Sequence, residues 1–485
     1  MSSPDVVVVG SGPCGAMAAH QLVERGLRVT MLDAGERAPR GAIVRVADRT
    51  VAKWVEPRHI RSDRHVAEAD PATEWYSSLS QGGLSNYWTS AVPRFAPEDF
   101  LDGARRDERF DWPIRYDDLV PYYEIAERAL GVTAGTPFPN IPANITAHVA
   151  HLPRDWEEIC ARVTAAGHPM GPMPMAKGAP WMVAPRGTGF DSYHCIVKPL
   201  MRSANFALVR SARVRRVRWS SAAGRAEGVE YVDRTTGASV FMEAGAIVIA
   251  AGALDSTQIL MRSTSTDFPS GLGNASGVLG RYLHDHPRQW WPAEFSRRLG
   301  AMNHPVYVPR EPYDRTEPLS GVSMTIGLTS ARDRLRSIFG GSTSAFGVQV
   351  FGTVVPTEDS RVSLDPEADD DLDAPLHIAV RYDGAARAQI DAARDRFREI
   401  FAAVGIRAEP RGPFHELHPG SSVHWAGTVR MHRSAEHGML DEWNRLHEVP
   451  NVVVCDASCF TTGPEKNPTL TAMAIAARAG RHIAL

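Results

Sequence analysis

The sequence predicts an α/β protein: a discontinuous Rossmann-like nucleotide-binding domain joined to a second domain with a mostly antiparallel sheet flanked by helices. Three strand–turn–helix segments, far apart in the chain, carry the first half of that expectation: "DVVVVGSGPCGAMAAHQLVERGLRVTMLDAGE" near the N-terminus, "AGAIVIAAGALDSTQILMRS" (244–263) and "NVVVCDASCFTTGPEKNPTLTAMAIAARAGRHI" (451–483). Alternating strands and turns over 290–385, followed by the amphipathic pattern "DGAARAQIDAARDRFREIFAAVG", carry the second half.

In the first segment, four consecutive valines form a strand buried on both faces, as a parallel sheet covered by helices demands. Gly10, Gly12 and Gly15 then supply G-x-G-x-x-G at the strand-to-helix turn. The helix "AMAAHQLVERG" closes on Gly26, and "RVTMLDAG" is the next strand with Asp33 at its end. The glycines permit a tight turn and a close approach of backbone N–H groups to a pyrophosphate at the positive helix end. Asp33 stands 18 residues after Gly15, placed to accept from a ribose hydroxyl pair. The motif leaves open whether the adenine belongs to FAD or NAD.

The whole-chain totals exclude several classes. With 485 residues, 43% apolar and 22% charged, the chain has the composition of a globular protein of two to three domains. A net charge of -3 gives no footing for nucleic acid or an anionic membrane, and the basic run "ARVRRVRW" fits a strand with a charged, solvated outer face. Cys14, Cys160, Cys195, Cys455 and Cys459 form no CxxC pair and no Cys/His metal spacing, so reduced thiols and a cytoplasmic location are expected, with no metal. "DPEADDDLDAP" fits a solvated turn. The N-terminus lacks the features of a secretion signal, and no apolar run is long enough for a membrane span.

The ordered set of motifs resembles the glucose-methanol-choline (GMC) family of FAD-dependent oxidoreductases. Besides the three segments above, the resemblance rests on "LSQGGLSNYWTSAVPRF" (79–95), "FDWPIRYDDLVPYYEIAERALGV" (110–132), "GVLGRYLHDHP" (277–287), "SRVSLDP" and "HWAGTVRM". Within the family, "NYWTSAVPRF", "HWAGTVRM" and "NPTLTAMAIA" are most similar to the pyranose-oxidase and bacterial glycoside-oxidase branch. The resemblance implies an FAD-binding domain over 1–132, 200–288 and 441–485, and a substrate-binding domain over 133–199 and 289–440. It implies that Gly10, Gly12, Gly15 and Asp33 hold the ADP half and that Val214 meets the adenine. The backbone at Asp456 and Ala457 would meet the phosphates and ribitol, and Pro468 and Thr469 the flavin ring. The loop containing Gly83, Asn86, Trp88 and Thr89 would run beside the isoalloxazine.

One position departs from the branch. Flavinylated pyranose oxidases carry a His before the "WT" pair; here it is Tyr87, so non-covalent FAD with a somewhat lower potential is expected. The resemblance also implies a catalytic pair, His424 and Asn467. His424 would take a hydroxyl proton while hydride leaves for flavin N5, and Asn467 would donate to the developing alkoxide. Asn467 also suits a helix N-cap with Pro468 at N1. His286 fits a scaffold role. Trp88, Trp290 and Trp291 fit either a stacking wall for a sugar or core packing, and the Met/Pro-rich stretch "PMGPMPMAKGAPWM" a loop over the site. The expected activity is oxidation of a secondary alcohol of a sugar, glycoside or polyol-like compound, with O2 or a quinone-like acceptor. The alternatives are a non-sugar alcohol, a non-redox FAD-containing lyase, or an FAD-stabilised binding protein.

Overall fold

The structure is a computed structural model; it describes residues 3–484 apart from 37–59, 62, 74, 140, 178–188, 301, 303, 311–319, 328–343, 366 and 369–370. The valine strand Val6–Val9 lies at the centre of a five-stranded parallel sheet. Its order is Val452–Val454, Ala246–Ile249, Val6–Val9, Val29–Leu32, Phe206–Val209, with in-register partners such as Val8 with Val248 and Met31. The three separated sequence segments therefore share one sheet. Outside the edge strand Phe206–Val209 its side chains are nearly all inaccessible, which explains why these strands are continuous apolar runs rather than alternating ones.

Helices Pro13–Glu24 and Thr469–His482 pack against one another over this sheet, with Tyr116–Leu130 beside the latter. Small residues make the approach possible: a Cβ on Gly480 would lie 2.7 Å from the Ala18 carbonyl oxygen. A three-stranded antiparallel ribbon, Ala212–Ser220, Arg225–Asp233 and Ser239–Glu243, extends the domain. Here the outer-face expectation for "ARVRRVRW" holds for Arg216 and Arg218, which pair with Glu230, but not for Arg213. Arg213 is buried and meets Asp373 at 2.6 Å, so the acidic turn is tied back to the sheet rather than wholly solvated.

The second unit is a six-stranded antiparallel sheet in the order Ala408–Pro410, Arg288–Phe295, Ser344–Gly352, Val322–Ile326, Val306–Val308, Gly171–Pro172. Alternation sorts its two faces. Trp291, Phe295, Val348 and Val350 join Trp156 of helix Arg154–Ala165 and Phe397 and Phe401 of helix Gly384–Ala402 in one core. The opposite face presents Arg288, Gln349 and Phe351 to the cavity described below. Trp291 is therefore a core residue, and Trp290, half-buried on the cavity-side face, is absent from the lining. The Met/Pro-rich stretch is an edge of this sheet rather than a loose loop: Met173 N donates to Pro305 O, and Met175 exchanges bonds with Thr133. Its residues 178–182 lie outside the described residues. "SRVSLDP" and "PLHIAVRYD" join neither large sheet; Arg361–Ser363 and Leu376–Ala379 form a small sheet with His65–Ala67.

Candidate active site

A cavity of about 390 Å³ runs from the first glycine turn to the C-terminal strand–helix connection and the inner face of the antiparallel sheet. At the first turn, Gly10 has φ +98°, and a Cβ there would lie 2.5 Å from the Ala250 carbonyl oxygen, so only glycine lets the two parallel strands close up. Gly12 is the opposite case: an added Cβ would meet nothing within 4 Å, because the position opens onto the cavity. Gly12 caps helix Pro13–Glu24 without any side-chain hydrogen bond, leaving the positive helix end facing the cavity. This bare, open helix end fits a pyrophosphate.

Gly15 is not part of the lining. A Cβ there would sit 2.1 Å from the Gly10 carbonyl oxygen, so this glycine serves helix–turn packing rather than cofactor contact. Asp33 lines the cavity, with Oδ2 accepting from Ser11 N at 2.8 Å and Oδ1 from Gly35 N at 2.7 Å. Burial pushes its carboxyl pKa up while the bonds from Ser11 and Gly35 pull against that. Each carboxylate oxygen keeps a further acceptor site for a ribose hydroxyl.

Asp456 stitches the other end. Burial raises its pKa, opposed by hydrogen bonds from Ser256 Oγ at 2.5 Å, Gly252 N at 2.9 Å, and both N and Oγ of Ser458. It thereby fixes the turn after Ala246–Ile249 against the turn after Val452–Val454, and Ala457 follows it into the lining with Pro468 and Thr469. Val214, Gly83, Trp88 and Thr89 also line the cavity. Asn86 does not: its amide donates to Gln81 O at 2.9 Å and Gly83 O at 2.8 Å, holding the loop in shape instead of facing outward. Ser11 Oγ accepts from Gly82 N at 2.8 Å and joins that loop to the first glycine turn.

His424 and Asn467, 43 residues apart in sequence, meet in the cavity wall, with Asn467 Nδ2 3.1 Å from His424 Nε2. Asn467 does not cap a helix; the helix begins at Thr469, without a side-chain cap. The His424 loop is held from behind. Buried Asp285 accepts from His424 N at 2.7 Å, from Ser422 N at 3.0 Å, and from Ser422 Oγ. Between those residues Val423 has φ +59°, a costly conformation for a β-branched side chain. His286 Nδ1 lies 2.8 Å from His424 Nδ1, and Phe351 packs on the His424 ring at a centroid distance of 4.9 Å.

Comparison with known proteins bears on this site. The N- and C-terminal models of the family described as GMC oxidoreductase match residues 107–288 and 356–476, and a model described as FAD dependent oxidoreductase matches 5–104. The chain belongs to the GMC oxidoreductase family. It is an FAD-dependent oxidoreductase, and the open Gly12 turn, the bare helix end and Asp33 fit that cofactor. Among relatives of this family member are 6'''-hydroxyparomomycin C oxidase of Streptomyces lividus, 29% identical over 99% of this chain and 91% of the relative, and 2-methyl-1,2-propanediol dehydrogenase of Mycolicibacterium austroafricanum, 26% identical over 99% and 95%. A C-glycoside 3-oxidase of Microbacterium trichothecenolyticum is 27% identical over 99% and 96%. The fold is also that of pyridoxine 4-oxidase from Mesorbium loti, with TM-score 0.69 and 21% identity over 99% of this chain and 98% of that one.

Some lining residues escape a reading of motifs. Gln349 and Phe351 come from the alternation of "SAFGVQVFG", which marks them as one face without saying which. Arg288, Tyr76 and Trp425 carry no local signal. Among the described residues there is no group of acids, histidines or cysteines able to hold a metal, no disulfide, and no helix long and apolar enough to cross a membrane.

Proposed function

We propose that the protein oxidises a secondary alcohol of a sugar, glycoside or polyol-like compound to the ketone, with His424 as general base and Asn467 as alkoxide donor. The observation that carries this is the 3.1 Å approach of His424 Nε2 to Asn467 Nδ2 in the cavity wall, where both polar tips converge on the space a hydroxyl would occupy. When bound, FAD supplies the acceptor, flavin N5, for the hydride that leaves the carbinol carbon. His424 takes the hydroxyl proton at Nε2, and the Asn467 amide steadies the oxygen as negative charge grows on it. Asp285, through the loop it pins, holds the imidazole in place, and Phe351 shields one of its faces.

The cofactor is held by Gly10, Gly12, Asp33, Gly83, Trp88, Thr89, Val214, Asp456, Ala457, Pro468 and Thr469, without a covalent bond because Tyr87 offers no imidazole. We assign the FAD-binding domain to the chain around the parallel sheet and the substrate-binding domain to the chain around the six-stranded antiparallel sheet, a reading supported by the cavity lined from both. The electron acceptor is O2 or a quinone-like carrier, and the five unpaired thiols fit the reducing cytoplasm.

A polyhydroxylated substrate is favoured by Gln349, Thr325 and Thr89 in the walls around Asn467, and by relatives named for 6'''-hydroxyparomomycin C and a C-glycoside. A small aliphatic diol is the second reading, favoured by Met173, Met175 and Phe351 at the same end and by the propanediol dehydrogenase relative. The test is anaerobic titration of the holoenzyme with pyranoses, glycosides and aliphatic diols while the flavin absorbance is followed. Bleaching by the sugars supports the first reading, bleaching by diols alone the second. An unbleached flavin across both sets overturns both.

A further inference from the structure

We propose that His286 is a positioning residue that fixes which nitrogen of His424 carries the proton, leaving Nε2 bare to act as the base. The two Nδ1 atoms are 2.8 Å apart, with ring centroids 5.0 Å apart and planes at 75°. At that distance two neutral imidazoles share one proton: two N–H groups would collide and two lone pairs would repel. One ring donates and the other accepts, so the tautomer of one dictates that of its partner.

The surroundings of His286 hold its ring in place, and the far side of His424 sets the direction. Its ring is buried, and its backbone is clamped by Ser422 Oγ accepting from His286 N at 3.2 Å and by the Tyr382 hydroxyl donating to His286 O at 2.9 Å. Its Nε2 is sealed from solvent and meets no hydrogen-bond partner among the described residues. On the far side of His424 the Asn467 amide nitrogen, a donor only, lies 3.1 Å from Nε2, so that nitrogen accepts, and the acceptor His286 offers at Nδ1 holds the proton on His424 Nδ1. His424 Nδ1–H then donates to His286 Nδ1, and His424 Nε2 is left bare opposite the Asn467 amide nitrogen. Besides His424, the charged and titratable groups acting on His286 are His284, Glu465 and Lys466, of which Glu465 and Lys466 neutralise each other at 2.7 Å. Burial dominates and holds the ring neutral, its pKa lowered to about 3, so it carries a single proton throughout the working range.

The inference rests on His424 being the base. In the step itself the substrate O–H bond breaks and an N–H bond forms at His424 Nε2, while the carbon-bound hydrogen leaves with its electron pair to FAD and the alcohol becomes a ketone. The imidazolium so formed keeps donating Nδ1–H to His286. Were His424 to carry its proton on Nε2 instead, no lone pair would face the hydroxyl.

The tautomer is read directly by 15N chemical shifts of [15N]histidine-labelled holoenzyme, with the His424 signals assigned by their loss in His424→Gln. In the wild type His424 shows a protonated Nδ1 and a bare Nε2. In His286→Leu, with no acceptor left at Nδ1, the share of His424 protonated at Nε2 rises, the Asn467 amide turning its oxygen to accept. In His286→Asn, whose amide oxygen can stand where Nδ1 was, the wild-type pattern returns. Flavin reduction, measured with whichever pyranose, glycoside or diol bleaches the wild type, slows about tenfold or more in His286→Leu with KM changed less than about threefold, and largely recovers in His286→Asn. A wild-type His424 already protonated at Nε2, or a His424 pattern unmoved in His286→Leu, overturns the proposal. Wild-type flavin reduction in His424→Ala would instead sink the assignment of the base and leave the tautomer result standing.

Discussion

Asp285 holds His424 by its backbone rather than by its ring: the carboxylate accepts the His424 N–H at 2.7 Å and both N–H and hydroxyl of Ser422, two residues earlier. The ring of His424 is thereby left to His286 on one side and Asn467 on the other. The loop so gripped contains Val423 at φ +59°, a conformation the chain would relax if the grip were lost.

Replacing Asp285 by Asn keeps the shape but removes the charge and sets an amide donor among groups that themselves donate. Charge-assisted bonds of this kind contribute about 1.5–3 kcal/mol each, and a buried donor left unpaired costs about 1–3 kcal/mol. Asp285→Asn is expected to lower unfolding free energy by about 2–4 kcal/mol and to slow flavin reduction about tenfold or more, because His424, the proposed base, is displaced. Urea unfolding and single-turnover kinetics measure the two effects. Unchanged values in both would show that the loop needs no such anchor.

His424→Ala removes the group proposed as the base while leaving the cofactor end untouched. Flavin reduction by the alcohol that serves the wild type is expected to slow by about 10²-fold or more with FAD content unchanged. Asn467→Ala removes only the proposed hydrogen bond to the substrate oxygen and is expected to cost about 10- to 10²-fold. Both are read by anaerobic stopped-flow absorbance. Equal small losses in the two variants would contradict the division of roles.

Just before Asn467, a wholly buried ionic cluster sets its approach. Lys466 Nζ meets Asp99 at 2.8 Å and Glu465 at 2.7 Å, and Arg310 meets Asp102 at 2.7 Å with Glu465 4.0 Å away. Lys466→Met leaves two carboxylates without their shared cation, and breaking one member of a buried pair costs about 3–5 kcal/mol. The variant is expected to unfold at correspondingly lower denaturant concentration, with reduced expression. A triple change of Lys466, Asp99 and Glu465 to apolar residues of similar volume is expected to recover part of that loss, a comparison that separates stranded charge from lost packing.

The nucleotide half of the fold was legible because its signals are local: the valine strand, the glycine turn and the periodic helix lie within one contiguous stretch. The division of labour inside the motif was not. Gly12 opens on the cavity and Gly15 packs against Gly10, a distinction set by where neighbouring strands pass and not by spacing. Asn86 turned inward for the same kind of reason, since its amide found backbone carbonyls within its own loop. His424 and Asn467 were reachable only through the resemblance, and the bond from His424 to His286 spans 138 residues. Trp291 was ambiguous because a strand's alternation fixes which residues share a face but not which face meets the core.

Tyr87 in place of a histidine predicts that FAD leaves the protein intact on denaturation. Acid precipitation of the purified holoenzyme is expected to release essentially all the flavin into the supernatant, with spectra and mass of free FAD. Flavin retained in the pellet, or a peptide with the added mass of FAD, would show that another side chain forms the linkage.

Buried histidines give the fold a defined acid sensitivity. His284 is buried, with its ring Nδ1 2.9 Å from Tyr282 O, and burial lowers its pKa to about 4; that of His286 is lowered to about 3. In the unfolded chain both return to the ordinary value near 6.5. Between the folded and unfolded values the unfolded state binds more protons, so stability rises with pH there. The contribution is therefore complete above about pH 6.5 and is lost as pH falls toward 4 and then 3. One such group gives a limiting slope of about 1.4 kcal/mol per pH unit. His284→Gln removes that titration, so its unfolding free energy between about pH 6 and 4.5 is expected to fall less steeply than the wild type's by nearly one proton's worth. Urea unfolding across that range measures the difference. Parallel slopes in the two proteins would mean that His284 takes up its proton in the folded state as readily as in the unfolded one.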